Sequence, residues 1–460
     1  FFLSEIKMHS ISNFDLQHKS ISLVPSTINF FSFFRKEDLS KSFLIYLNVV
    51  LSLLDILLII RLYKTNQNPI SLKSYSQMKK IYFDNAATTQ ISNEVIAVIS
   101  DVMKNNFGNP SSTHSFGRSS KSLLELSRKY IAEKLNVSPS EIIFTSGGTE
   151  SNNMIIKSAV ESLGVKRIIS TKIEHKAVLN SVETISKNKK LSLDFLDVDE
   201  NGNPDKNQLK ELLENSDETT LVSLMHINNE IGTMIDLNEY GELCESNNAF
   251  FHSDTVQTIG HYNLDLSKTK IDFITCSAHK FHGPKGVGFI YVKNGTNLLP
   301  LIEGGSQERG LRGGTESIHN IAGLKKAFES SYNSLEKDSK NVFQIKEHFI
   351  NSIKKSIPNS KINGNFSKNN SSYAILNICL PISVEKKTLL NFKLDLAGIA
   401  CSGGSACQSG SQKPSHVLSE IQTENDIKKI SLRFSFSKFN TIDEVDYVVD
   451  FLKKFVDENC

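Results

Sequence analysis

Cysteine is scarce in this chain, with six residues among 460, at Cys244, Cys276, Cys379, Cys401, Cys407 and Cys460, and no CxxC pair. That spacing argues against a disulfide framework and points to a reducing, cytoplasmic setting. No long run of one charge sign occurs. Lys plus Arg number 52 and Asp plus Glu 50, a formal net charge of +2, so direct stable nucleic-acid binding is not expected. No internal repeat is evident. The hydrophobic share of 39% is that of an ordinary globular protein, and the length favours more than one domain.

The first 77 residues differ from the rest. Residues 43–60 read FLIYLNVVLSLLDILLII, close to the roughly 18 residues that a membrane span requires. Asn48 and Asp55 interrupt the run, and a carboxylate at mid-membrane costs ~2.5–3.5 kcal/mol. Basic residues flank both ends (Arg35, Lys36, Lys41; Arg61, Lys64), so no orientation is set. No small-residue cleavage site follows, which argues against a signal peptide. The expectation is that the folded protein begins at Met78 and that 1–77 is an atypical extension, with a membrane anchor at 43–60 as the alternative.

From Met78 onward, short apolar runs alternate with helical patterns. EIIFTS (141–146), KRIIST (166–171), TLVSLMHI (220–227), AFFHSD (249–254), DFITCSA (272–278) and GVGFIYV (286–292) read as strands. Helices are expected over 150–160, from about Lys176, and from near Ile318. This alternation predicts an α/β fold with a mostly parallel sheet flanked by helices. Further on come YAILNICLP, ISLRFSF (430–436) and a final helix over 441–456, expected as a smaller α+β domain. The expected division is a large domain at 78–335 and a small one at 336–460 that carries the loop 401–412.

Asp254 and Lys280 fall at the ends of two expected strands, where open parallel sheets bind ligands. An amine and a carboxylate there are what pyridoxal 5′-phosphate (PLP) needs: a lysine to bind its aldehyde and an acid to keep its ring nitrogen protonated. Taken alone the pair carries little weight, but the surrounding SAHKFHGPKGVG strengthens it. Gly147, Gly148 and Thr149 join a strand to a helix and offer backbone N–H groups to a phosphate; a plain turn with Thr149 as N-cap is the alternative. His175, just past a strand, could stack on a flat cofactor or be structural. Cys407 lies in the polar, Gly/Ser-rich CSGGSACQSGSQKPSH, a setting that suits a nucleophile able to reach a substrate. Cys401 reads as an exposed, incidental thiol. Arg433 in SLRFSF could clamp a carboxylate bidentately or form an ordinary ion pair.

Together these segments resemble the cysteine desulfurases of the NifS/IscS type, class-V aminotransferases among the fold-type I PLP enzymes. DNAATT (84–89), GNPSSTH (108–114), SGGTESNN (146–153), EHKAVL (174–179), HINNEIG (226–232), HSDTVQTIG (252–260), SAHKFHGPKGVG (277–288), RGGTE (312–316), SGGSACQSG (402–410) and LRFSF (432–436) stand in the family's order over residues 80–456. The resemblance implies Lys280 as the cofactor-binding lysine and Asp254 as partner of the ring nitrogen. It implies Gln257 and Asn229 as ring contacts and His175 as the stacking ring and an acid/base. Gly148, Thr149, Ser277 and His279 would form the phosphate cradle, and Thr315 would be lent by the other subunit of a homodimer. Arg433 would hold the carboxylate of L-cysteine. Cys407 would take its sulfur as a persulfide, releasing L-alanine and passing the sulfur to an acceptor or iron–sulfur scaffold protein. A selenocysteine lyase and a non-catalytic relative are the rival readings. The loop type disfavours the first, and the presence of Lys280 and Cys407 disfavours the second.

Overall fold

A computed structural model describes residues 79–367, 369–403 and 415–459. The apolar segment 43–60, Cys407 and Cys460 lie outside the described residues. The described part opens with a short strand β1 (Ile81–Tyr82), then helices α1 (Asn93–Asn105) and α2 (Ser115–Lys134). Strand β2 (Ile142–Thr145) leads to α3 (Gly148–Ser162), β3 (Arg167–Thr171) to α4 (Lys176–Lys189), and β4 (Ser192–Leu196) to α5 (Lys206–Glu214). Next come β5 (Thr220–Ser223), α6 (Leu237–Ser246), β6 (Phe250–Asp254), β7 (Phe273–Ser277) and β8 (Gly288–Val292). The long helix α7 (Ile318–Ser356) precedes β9 (Lys361–Asn363), β10 (Ile375–Ser383), α8 (Lys387–Leu396) and β11 (Ile399–Ala400). The short α9 (His416–Ile421), β12 (Lys429–Ser435) and α10 (Ile442–Asn459) complete the described part.

Seven strands form the main sheet in the order β2-β8-β7-β6-β5-β3-β4. Strands β7, β6, β5, β3 and β4 pair in parallel, and β8 runs antiparallel between β2 and β7. The apolar runs face both ways because both faces are covered. On β2, Ile142 and Phe144 join one core with α1, α2, α5, α6 and the start of α7, while Ile143 joins another with α3 and α4. Buried parallel strands of this kind read as continuous hydrophobic runs. This is the expected α/β architecture with a mostly parallel sheet.

A second, antiparallel sheet (β12-β10-β9) packs its own core against the later part of α7 and against α8 and α10. The aromatic group Phe83, Phe349, Phe434 and Phe436 sits in that core. Phe83 directly follows β1, which pairs with β11, so β1 belongs with the C-terminal elements. Among the described residues, no helix is long and apolar enough to cross a membrane.

Candidate active site

Most of the predicted site residues follow the carboxyl ends of strands of the main sheet. Thr145 ends β2 before Gly147, Thr171 ends β3 before His175, Ser223 ends β5 before Asn229, Asp254 ends β6, and Ser277 ends β7 before Lys280. A parallel sheet gathers these positions on one edge, where ligands bind.

Asp254 is 5% exposed. Its Oδ2 accepts from Asn152 Nδ2 (2.7 Å) and its Oδ1 from the backbone N–H of Val256 (3.0 Å). Behind it a hydrogen-bonded row crosses the sheet. Thr275 Oγ1 donates to Asn152 Oδ1 at 2.7 Å, His252 Nε2 meets Thr275 Oγ1 at 3.3 Å, and His252 Nδ1 meets Ser223 Oγ at 2.8 Å. With the threonine proton already used, the pattern assigns the His252 proton to Nε2 and leaves Nδ1 accepting from Ser223. Burial holds that ring neutral, at about 3. The row fixes the orientation of Asp254. Asn152 lies in the SGGTESNN segment, but its role as the carboxylate's holder was not read from the sequence.

Lys280 Nζ donates to the backbone oxygens of Ala86 (2.7 Å) and Ala87 (2.8 Å). Gln257 Nε2 donates to the same Ala86 oxygen at 3.0 Å. The DNAATT turn thus brings Lys280 and Gln257 to one point. It is tied down in turn, since the Thr89 N–H donates to the His279 carbonyl (2.9 Å) and His279 Nδ1 meets Thr88 Oγ1 (3.1 Å). Burial, then the Lys280 and Lys285 charges, push the His279 imidazole down to about 4.

His175 is the N-cap of α4, with Nδ1 accepting the Ala177 N–H at 3.1 Å. An accepting Nδ1 leaves the proton of the neutral ring on Nε2. Burial lowers its basicity, Lys280 and His416 lower it further, and the charges of Asp254 and Glu230 oppose them. His175 therefore lies within the fields of both Asp254 and Lys280.

Helix α3 begins without a side-chain cap: its N-cap is Gly147, at φ +138°, rather than Thr149. Thr149 stands in the first turn with an exposed side chain. A Cβ on Gly147 would come within 3.3 Å of Ser277 Oγ, and one on Gly148 within 2.9 Å of Val256 Cγ2. Gly288 allows the close approach on the other side, because a Cβ there would lie 2.9 Å from the Gly147 Cα. The result is an uncapped helix start with the Ser277 hydroxyl close beside it. Such a start suits a phosphate. The donor set as a whole fits PLP: an amine at Lys280, a carboxylate at Asp254, an imidazole at His175 and an open anion cradle.

Arg433 is 2% exposed. Nη2 pairs with Asp84 Oδ1 (2.8 Å) and donates to Ser402 Oγ (2.9 Å), and Nη1 donates to the Asn229 carbonyl (2.8 Å). Asn229 thus meets Arg433 through its backbone. Thr315 is exposed in the loop before α7. That loop is joined to the first turn of α3 by the Arg312–Glu150 ion pair at 2.9 Å. Cys401 departs from expectation: it is half-buried against the core of the small sheet, and burial pushes its thiol up to about 12. It is neither an exposed thiol nor a ready nucleophile.

The model of the family described as aminotransferase class-V matches residues 81–448. The chain belongs to that family. Within it, the chain is 38% identical over 385 residues to a cysteine desulfurase IscS of Dictyoglomus turgidum, covering 83% of this chain and 95% of the relative. It is 41% identical to a putative cysteine desulfurase IscS 1 of Bacillus subtilis, covering 82% of this chain and all of the relative. The structure of a NifS-like protein from Rickettsia africae superposes with a TM-score of 0.73 at 32% identity, over 82% of this chain and 100% of that one. Class-V membership agrees with the resemblance read from the motifs.

Proposed function

We propose that the chain is a PLP-dependent cysteine desulfurase that takes sulfur from L-cysteine, releases L-alanine and holds the sulfur as a persulfide on Cys407. The observation that carries this reading is the gathering of Lys280, Asp254 and His175 beside the uncapped start of α3. Lys280, Asp254, Gln257, His175, Gly148, Thr149, Ser277 and His279 would hold the cofactor, with Asn229 beside its ring. Thr315, exposed on the chain's surface, is the residue offered to a second copy in a homodimer. When bound, PLP supplies an aldehyde that captures the amino acid nitrogen and a ring that accepts electron density as the α-proton leaves.

Arg433 binds the substrate carboxylate, and its buried Nε, which has no partner among the described residues, is a donor still to be used. Lys280 Nζ takes the α-proton and later returns it. Asp254, held by Asn152 and Val256, keeps the ring nitrogen protonated. His175 Nε2 offers its proton on the same edge. The Cys407 thiolate attacks the substrate sulfur: an S–S bond forms, the C–S bond breaks, and its electron pair stays with the carbon fragment that is protonated to alanine. The persulfide then passes to a thiol acceptor or an iron–sulfur scaffold protein.

The test compares wild type with Cys407→Ala and Lys280→Ala for visible absorbance and for alanine and sulfide release from cysteine under reductant. A yellow Cys407→Ala protein without turnover, beside an inactive Lys280→Ala protein whose absorbance has changed, is the expected outcome. A colourless wild type, or turnover undiminished in Cys407→Ala, refutes the reading.

A further inference from the structure

Arg433 is more committed than a free carboxylate clamp would be. Of its three nitrogens, Nη2 already bonds Asp84 Oδ1 at 2.8 Å and Ser402 Oγ at 2.9 Å, and Nη1 bonds the Asn229 carbonyl at 2.8 Å. Nε is buried without a partner among the described residues. A guanidinium offers a carboxylate two forks, one from Nε with Nη2 and one from Nη1 with Nη2. Both use Nη2. A carboxylate that engages Arg433 through two bonds must therefore displace either Asp84 or Ser402.

The two occupants are unequal. Asp84 is an ion-pair partner, and charge-assisted bonds of that kind are the stronger ones. Ser402 is a neutral hydroxyl, and it also donates to Asp84 Oδ1 at 2.7 Å, so it can leave Arg433 without losing its other bond. Two backbone bonds fix its place whatever its side chain does, Ser402 N–H to the Arg433 carbonyl (3.1 Å) and Arg433 N–H to the Ser402 carbonyl (2.7 Å).

We infer that the Ser402 hydroxyl is a placeholder on Arg433 that the substrate carboxylate displaces, with Asp84 retained to keep the guanidinium in position. Ser402 is thus a positioning residue that sets how tightly an amino-acid carboxylate is held. This rests on Arg433 being the carboxylate clamp. The role has a sign opposite to a structural one: removing the hydroxyl opens a donor on Nη2 and tightens carboxylate binding.

The experiment uses holoenzyme with wild type, Ser402→Ala and Ser402→Thr, and titrates L-alanine calorimetrically, with ethylamine as the ligand lacking a carboxylate. Ser402→Ala should bind L-alanine about three- to tenfold tighter than wild type, the equivalent of one neutral hydrogen bond no longer broken. Its ethylamine affinity should stay unchanged, Ser402→Thr should restore the wild-type value, and the KM for cysteine should fall with L-alanine affinity. Unchanged or weaker L-alanine binding in Ser402→Ala, or an equal gain for ethylamine, overturns the inference. Wild-type conversion of cysteine to alanine is followed in parallel. A turnover-competent wild type with no gain in Ser402→Ala sinks only the displacement, while an inactive wild type sinks the desulfurase reading and the inference with it.

Discussion

Glu174 offers a sharp test of how burial sets charge beside the site. It is 1% exposed and immediately precedes His175. Its Oε1 accepts the Met225 N–H at 2.8 Å and the Thr171 hydroxyl at 3.3 Å, and its Oε2 is buried without a partner among the described residues. Burial first, and then the charge of Asp254, outweigh those two bonds and raise the carboxyl from 4.5 to about 8. The folded protein thus keeps a proton here that the unfolded chain has lost. Stability from this group is complete below about pH 4.5 and is lost as pH rises to about 8. At about 1.4 kcal/mol per pH unit, the window spans roughly 4–5 kcal/mol.

Glu174→Gln keeps the accepting oxygen and cannot ionise. Urea unfolding of wild type and Glu174→Gln at several pH values across that window should show the variant gaining on wild type as pH rises, by about 1.4 kcal/mol per unit, with the curves parallel above it. Glu174→Ala should share the pH profile of Glu174→Gln but lie about 1–3 kcal/mol below it at every pH, because the Met225 N–H and the Thr171 hydroxyl lose their acceptor. Parallel pH dependences for wild type and Glu174→Gln would refute the reasoning, since they would mean that Glu174 ionises alike in the folded and unfolded states.

Other outcomes follow from the same geometry. Asn152→Ala removes one donor from Asp254 and one acceptor from Thr275 in a buried row, so it should weaken cofactor retention, read as visible absorbance after dialysis, and cost about 1–3 kcal/mol of stability. His175→Ala should lower kcat by about 100-fold or more if its Nε2 proton is used, and the folded protein's far-ultraviolet dichroism should remain unchanged. Gly147→Ala places a side chain at φ +138° against Ser277, and should weaken PLP binding in an equilibrium titration. Arg433→Lys, which loses the planar fork, should raise the KM for cysteine far more than it lowers kcat.

Much of the architecture was legible before any coordinates. The helix starts at Lys176 and Ile318 fall where the sequence places them, and the strands at 142–145, 167–171, 250–254 and 273–277 lie inside the runs read from it. Of the run at 220–227, Thr220–Ser223 forms the regular strand, and the Leu224 and His226 N–H groups continue to donate to the His252 and Asp254 carbonyls of β6. Strand β4 and the N-terminal helices were not picked out. β4 pairs only at the edge of the sheet and is largely half-exposed, so its pattern is weaker than that of the buried strands.

The site divides along the same line. Residue types and their order determined by themselves the family, the α/β alternation and which amine, acid, imidazole and arginine are the candidates for the chemistry, because caps, turns and hydrophobic periods are written within a few neighbouring residues. Only the tertiary structure decided that Lys280 and Gln257 meet at Ala86, 194 and 171 residues away, and that Asp84, 349 residues from Arg433, shares its guanidinium with Ser402. It alone decided that Cys401 is half-buried and that Glu174 keeps its proton. Those outcomes turn on desolvation and on long-range pairing, which depend on what the assembled sheet packs around each group and leave no trace in the local pattern.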